Sequence, residues 1–447
     1  MGYNFASFIQ RNPFGNIETK DAQVVLLDSL LKEPLANGIF KTQDFYGDGV
    51  RLVNVSDLYQ DTEVNISSLE RINANEDEQQ RFGVTKGDIY FVRSSLKPEG
   101  IAWTAHLENI TEPTVFECHL IRVKPDKDKI LPIFLSHYSR TSIARDYLMA
   151  TASVTTMATI DQPTVANLPV VLPKPEKQRA LVADMESARL ARQEKLSQAE
   201  GLLKGIDGFL LEQLGIKLPK EENKPSFAIR FNAVQDGRVD PHFHHPSFVK
   251  LIEVIKTVPY KELGQLAKFS NEIWSPEQET AETFKYIEIS GVDIQTGNIT
   301  TTETLVSEAA SRARMLTRNG DILISLTRPH RGAIAQVDHS LDGCVASTGF
   351  SIIREITDKR ITKDYLWCIL RNQVSLQQML QRSSGGNYPA ITEPELQKIL
   401  IPIPSPKIQE KISSELSHRR VQADTLREEA EREWQNAKEN FERALLE

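Results

Sequence analysis

Val170-Val171-Leu172-Pro173-Lys174-Pro175-Glu176-Lys177-Gln178 decides how this chain is read, because it has a second copy 231 positions later. That copy is Ile401-Pro402-Ile403-Pro404-Ser405-Pro406-Lys407-Ile408-Gln409. Each copy runs apolar residues into Pro-x-Pro, then a polar turn, then a long helical pattern without proline. A strand exit and a helix start repeated in this way imply two similar halves. Other anchors keep the same order. Tyr286-Ile287-Glu288-Ile289-Ser290 matches Leu52-Val53-Asn54-Val55-Ser56 at an offset of 234, and Gly320-Asp321-Ile322 matches Gly87-Asp88-Ile89 at 233. Ser384 to Gln409 aligns with Ser153 to Gln178 without a gap, at 231. The halves share a scaffold and differ by insertions.

Within the first half the pattern is mixed α/β. Leu52 to Ser56 alternates as a strand does, Gly83 to Val92 is a turn feeding a β-rich run, and Phe116 to Val123 is a further strand closed by Lys124-Pro125. Leu131 to Leu148 has the partial 3–4 spacing of a helix. From Lys177 to Leu214 the pattern is helical throughout, with Val182, Met185, Leu196, Ala199, Leu203, Ile206 and Leu210 on one seam. Ala423, Leu426, Ala430, Trp434, Ala437, Phe441 and Ala444 form a similar seam after Lys407. Seams of this spacing are expected to pair two helices as a coiled coil. At about 1.5 Å per residue the first helix spans roughly 55 Å, more than one small domain needs. Lys217 to Ser226, charged and bounded by proline, reads as a linker.

With 447 residues, 40% hydrophobic and 26% charged, the chain is an ordinary multi-domain globular protein. No run of 18 apolar residues suggests a membrane span, and no secretory signal is evident. Cys118, Cys344 and Cys368 are scattered and lack C-x-x-C spacing, as expected in a reducing cytoplasm without disulfides or zinc. The net charge of −8 excludes a protein that coats nucleic acid nonspecifically, while leaving room for local basic surfaces.

The usual catalytic constellations are missing. There is no G-x-x-x-x-G-K-[ST] phosphate loop. Asn12-Pro13-Phe14 is similar to the Asn-Pro-Pro-aromatic motif of adenine methyltransferases, but it lacks the second proline and any upstream cofactor domain. Pro125-Asp126 could open a magnesium nuclease motif, but residues 136 to 160 hold no acid–x–lysine pair to complete it. His242, His244 and His245, near Asp240, have neither cysteines nor H-E-x-x-H spacing and read as a surface turn. What remains is polar loops on two scaffolds. Arg93-Ser94-Ser95-Leu96-Lys97 follows the first Gly-Asp-Ile strand; Thr327-Arg328-Pro329-His330-Arg331-Gly332 follows the second. Such side chains suit phosphates and guanine edges. Ser384-Gly385-Gly386-Asn387-Tyr388 combines glycines, which allow close backbone approach, with hydrogen-bonding groups. Its first-half counterpart, Ser153-Val154-Thr155-Thr156-Met157, has no glycine.

Taken together these residues resemble the specificity subunit of type I restriction–modification systems over essentially the full length. The resemblance rests on Lys32-Glu33-Pro34-Leu35-Ala36-Asn37-Gly38, Asn54-Val55-Ser56-Asp57-Leu58 and Arg93 to Lys97 in the first half. In the second it rests on Gly320-Asp321-Ile322-Leu323-Ile324-Ser325, Asp342-Gly343-Cys344-Val345-Ala346-Ser347-Thr348-Gly349-Phe350 and Ser384 to Ile391. The Pro-x-Pro before each helix completes it. It implies an α/β chain with target-recognition domains at 1–172 and 226–404. Long spacer helices would occupy 173–216 and 405–447, pairing as an antiparallel coiled coil, with a linker at 217–225.

The implied function is sequence-specific, non-catalytic binding of double-stranded DNA at a bipartite asymmetric target. Partners would be two adenine-N6 methyltransferase subunits and restriction/translocase subunits, in the cytoplasm and away from membranes. S-adenosylmethionine, ATP and magnesium would belong to those partners. Expected DNA-binding residues are Arg93, Ser94, Ser95, Lys97, Thr155, Thr156, Thr327, Arg328, His330, Arg331, Ser384, Gly385, Gly386, Asn387 and Tyr388, with no catalytic or metal site. Three other readings stand beside this one: a methylation-only or phage-defence complex without the motor nuclease, a self-sufficient DNA-modifying enzyme, and a coiled-coil scaffold that binds only protein.

Overall fold

A computed structural model describes residues 22–154, 157–219, 226–229 and 238–446. The chain forms two compact units, Met1–Glu194 with Glu429–Glu447, and Lys195–Glu428. Each unit is mixed α/β and built on the same plan. In the first, Ala36–Asn37, Leu120–Val123, Ile89–Val92 and Thr104–His106 lie side by side as a four-stranded sheet. In the second, Ala267–Phe269, Phe350–Ile356, Ile322–Ser325 and Ile334–Gln336 follow the same order. A further sheet in each unit contains one parallel pair, Tyr46–Val53 with Thr114–Phe116 and Thr283–Ile287 with Val345–Ser347. The Gly-Asp-Ile repeat explains the entry into each central strand. Gly87 and Gly320 take φ of +93° and +83°, a region that a side chain would strain. The Asp88 and Asp321 carboxylates then accept the backbone N–H three residues earlier, from Thr85 at 2.9 Å and Arg318 at 2.8 Å.

The repeated Pro-x-Pro stretch is the end of an antiparallel strand pair and the start of a long helix. Pro169–Pro173 pairs with Ala22–Leu26, and Leu400–Pro402 pairs with Tyr260–Glu262. The helices that follow run Pro175–Leu214 and Pro406–Leu446, their prolines falling at the first helical position, where no N–H is needed. The glutamine closing each copy is buried, Gln178 at 2% exposure and Gln409 at 0%. Gln178 donates to the Pro173 carbonyl at 2.8 Å and accepts the Leu131 N–H at 3.0 Å. Gln409 donates to the Pro404 carbonyl at 3.0 Å and accepts the Thr362 N–H at 2.9 Å. Leu131 and Thr362 are the N-cap residues of helices Pro132–Ser139 and Lys363–Leu370. One amide thus ties the long helix to the first helix of its domain's helical pair. Tyr138 and Tyr365, from those helices, donate to the carbonyls of Pro169 and Pro402 in the strands.

Several sequence expectations need correction. The Leu52–Ser56 strand ends at Val53, because the Asn54 N–H donates to the Asp57 carboxylate at 2.8 Å and turns the chain into a 3-10 helix at Val55–Tyr59. Phe116–Val123 is two strands, parted at 117–119 where the Glu117 carboxylate takes the His119 N–H. The helix read across Leu131–Leu148 is broken at Arg140-Thr141, where Thr141 caps a new helix, Ser142–Ala150. His244 is buried rather than at the surface, its ring 2.7 Å from the Arg238 carbonyl. Asn12-Pro13-Phe14 and most of the linker, 220–225, lie outside the described residues.

Replacing Gln178 or Gln409 by Leu should cost about 2–4 kcal/mol, since a buried N–H and a carbonyl lose their partner together. Urea denaturation would measure this, and a loss under about 1 kcal/mol would remove the amide from its bracing role. His106 offers a pH test. Burial first, and then the neighbouring His137, depress its pKa to about 3, while the unfolded value is about 6.5. The folded state therefore refuses a proton that the unfolded chain takes up. Its contribution is full above pH 6.5 and declines as pH falls toward 3, by about 1.4 kcal/mol at pH 5.5. Stability curves of His106→Gln should be flatter over that interval.

Candidate nucleic-acid interface

The two polar loops of the second unit are neighbours, although about 60 residues separate them. Thr327 and Ser384 each bridge to Ala390. The Arg328 N–H donates to the Pro389 carbonyl at 2.7 Å, and Ile391 N–H donates to Leu326 carbonyl at 2.9 Å. Arg328 itself is left-handed, with φ 48° and ψ 49°, a conformation rare for a residue bearing Cβ. Its guanidinium donates to the Asn387 carbonyl at 3.1 Å and lies 4.1 Å from the centre of the Tyr388 ring. Cation–π contact and hydrogen bond together hold the strained residue. Ser384, Gly385, Gly386, Asn387 and Tyr388 are all exposed, Tyr388 at 71%. Gly385 has φ +93°, which lets the loop fold back on Tyr388.

Arg331 is exposed beside this loop pair, and His330 is half-buried, its Nδ1 without a hydrogen-bond partner among the described residues. Burial, followed by Arg331 and Arg328, holds the His330 ring below the usual imidazole range. Two arginines, an aromatic face and exposed backbone are suited to phosphate and base contact.

The first unit builds the corresponding junction by the same pairing. Ser94 and Ser95 pair with Thr159 and Ala158, and these pair in turn with Ser153 and Val154. Thr159 stands 231 positions before Ala390, and Ser153 the same distance before Ser384. Arg93 fixes the loop through its backbone, donating to His119 and accepting from Ile160. The Ser95 hydroxyl accepts the Lys97 N–H at 3.2 Å, leaving Lys97 exposed. Ser94 is buried at 8% exposure, so its side chain is part of the frame. Thr155 and Thr156 lie outside the described residues.

Supporting residues were not singled out from sequence. Arg145 donates to the Glu99 carbonyl at 2.9 Å and stacks on Trp103, and Tyr59 donates to the Gly100 carbonyl at 3.0 Å, bracing the turn after Lys97. Sequence carries no signal for them, because Tyr59 and Arg145 lie 41 and 46 residues from the turn carbonyls they hold. Glu117, Cys118 and His119, next to Arg93, are the one trio among the described residues whose ligand atoms lie within 4.8 Å of one another. Burial and Glu117 push the Cys118 thiol up to about 11, which disfavours the thiolate that a metal would need. No helix among the described residues is long and apolar enough to cross a membrane.

This is a duplicated α/β scaffold, with two long helices and a paired polar loop in each unit. Residues 255–426 match the family described as the type I restriction modification DNA specificity domain. The specificity subunit of the type I restriction enzyme HindI of Haemophilus influenzae is 30% identical over 109 residues, 24% of either chain. The match therefore spans about a quarter of that relative's length. A solved chain from work on assembly and conformational transition of a type I R-M system has TM-score 0.52 and 16% identity, covering 96% of this chain and 97% of its own. The S subunit from M. genitalium has TM-score 0.46 and 13% identity, covering 97% and 98%. At 16% identity the first of these likenesses is one of fold.

Arg331→Ala should leave thermal unfolding unchanged and weaken DNA association by about 1 kcal/mol. If Arg331 holds a phosphate, the salt slope should fall by about one as well. Fluorescence anisotropy of a labelled duplex across a salt series would read both, and an unaltered affinity would remove Arg331 from the interface.

Proposed function

We propose that this chain is the sequence-specific DNA-binding subunit of a type I restriction–modification complex, reading a bipartite asymmetric target. The observation that carries the proposal is the junction of two polar loops. The same strand pairing builds it in both units, yet the side chains it leaves accessible differ: Ser95 and Lys97 in one, Thr327, Arg328, Arg331 and Tyr388 in the other. One frame bearing two different sets of donors suits two different half-sites. On this reading phosphate contacts from Lys97 and Arg331 set the register, while Arg328, Asn387 and Tyr388 read base edges.

The long helices act as an antiparallel pair that sets the distance between half-sites, as dimer geometry does for split operators. They also offer the dock for two adenine-N6 methyltransferase subunits, with restriction/translocase subunits joining for cleavage. Chemistry then resides in those partners, which bring S-adenosylmethionine, ATP and magnesium, and this chain is non-catalytic.

Methylated adenines mapped genome-wide, with and without the gene, test the reading. A split motif should vanish on deletion. Exchanging residues 1–172 for another recognition domain should alter one half-site only, and insertions in the helix after Pro175 should alter the spacer only. Alteration of both half-sites by the exchange would refute the modular reading.

A further inference from the structure

The two loop junctions are unequal in what they offer a base edge. The second presents Arg328, Asn387 and Tyr388, whereas the first presents Ser95 and Lys97 among the described residues. The turn at 117–119, which parts two strands of the first unit, adds a further group. The Arg93 N–H donates to the His119 carbonyl at 2.7 Å, and the next residue, Leu120, pairs with Val92. His119 therefore stands at the end of the sheet from which the Ser95–Lys97 loop leaves. Its side chain is 47% exposed.

The duplication separates what this turn needs from what it carries. In the second unit the Leu326 N–H donates to the Gly349 carbonyl at 2.8 Å, as Arg93 does to His119. Gly349 thus occupies the place of His119 and Ser347 that of Glu117, each 230 positions later. The Ser347 hydroxyl accepts the Gly349 N–H at 3.2 Å, and one oxygen of the Glu117 carboxylate accepts the His119 N–H at 2.9 Å. A serine therefore suffices to close the turn. Glutamate brings a second oxygen, and that oxygen holds Nδ1 of the His119 ring. The second unit has neither the extra oxygen nor a ring to hold.

A carboxylate can only accept, so Nδ1 carries a proton and Nε2 of the neutral ring is left as an acceptor. Nε2 has no hydrogen-bond partner among the described residues. Glu117 also takes the Cys118 thiol at 3.4 Å, and its own side chain is only 16% exposed. The acid is thus a support beneath the ring rather than a surface charge that would repel phosphate. From this geometry we propose that His119 is a specificity-determining residue of the first unit, with Glu117 positioning its ring. Its Nε2 accepts from the exocyclic amino group of an adenine or a cytosine, the only hydrogen-bond donors that base pairs show in the major groove. This inference rests on the DNA-reading proposal and gives the first half-site a base contact that Gly349 cannot make in the second.

Mapping methylated adenines in cells that carry His119→Ala tests the assignment. One base pair of one half-site should relax, with the other half-site and the spacer unchanged. Glu117→Ser, which copies Ser347 and keeps the turn closed, should relax the same pair and leave thermal unfolding unchanged; a purely structural role for Glu117 would not single out that pair. Labelled duplexes carrying the wild-type motif then identify the atom. Unsubstituted purine for adenine, or 2-pyrimidinone for cytosine, is placed at each pair of that half-site in turn. At one pair the missing amino group should weaken binding of the full chain about tenfold, and His119→Ala should show no such loss there. A 7-deazapurine at that pair should bind as the natural base does. If either variant abolishes methylation, the analogue duplexes with the unaltered chain decide. A split motif left intact by both variants would overturn the role of His119 and leave the DNA-reading proposal standing. Loss with the 7-deazapurine instead of the amino-free base would make the ring a donor and overturn the assignment. A motif that persists without the gene would overturn both proposals.

Discussion

The structure depends on a buried amide at the joint between strand and long helix. A helix some 40 residues long has little reason to hold a fixed direction relative to a domain it leaves. Gln178 and Gln409 supply that reason. Each satisfies a carbonyl of the Pro-x-Pro turn and the first free N–H of a domain helix, groups that no backbone partner could reach. Burial raises the cost of losing either bond, so the joint behaves as one piece. The proline that opens each long helix adds a fixed φ at the same point.

Around these joints, duplication has preserved what carries the frame and released what does not. The Gly-Asp-Ile turn, the tyrosine hydroxyl on the strand carbonyl and the bridge between polar loops occur in both units at nearly constant offsets. The loop side chains have diverged, and so have the acids around Arg189 and Arg420. A shared frame with different surfaces suits a protein that recognises two unlike things. It also makes each unit a control for the other: Arg189 forms ion pairs that Arg420, 231 positions later, does not form among the described residues.

Arg328 shows the cost of shaping such a surface. Its left-handed backbone is held by a hydrogen bond to Pro389, a second to Asn387 and the face of Tyr388. Those three restraints all come from the other loop. The strained residue and the loop that restrains it therefore form one object, though they belong to distant stretches of chain.

By itself the sequence determined the duplication, the two long helices and the polar loops, because each is written in local terms: proline, turn chemistry and a 3–4 apolar period. It misjudged where strands stop, at Asn54 and at 117–119, because side chains there compete for backbone N–H groups that alternation does not register. Only the tertiary structure decided that Thr327 and Ser384 would meet across Ala390, since strand pairing between distant segments leaves no periodic trace. The same holds for Gln178 and Gln409. Their place in the repeat was legible, but their burial and their partners at Leu131 and Thr362 come from packing. Tertiary structure also separates Arg189, which pairs with Asp61, Glu63 and Glu186, from Arg420, which forms no ion pair among the described residues, because Asp61 and Glu63 arrive from a segment far away in the chain.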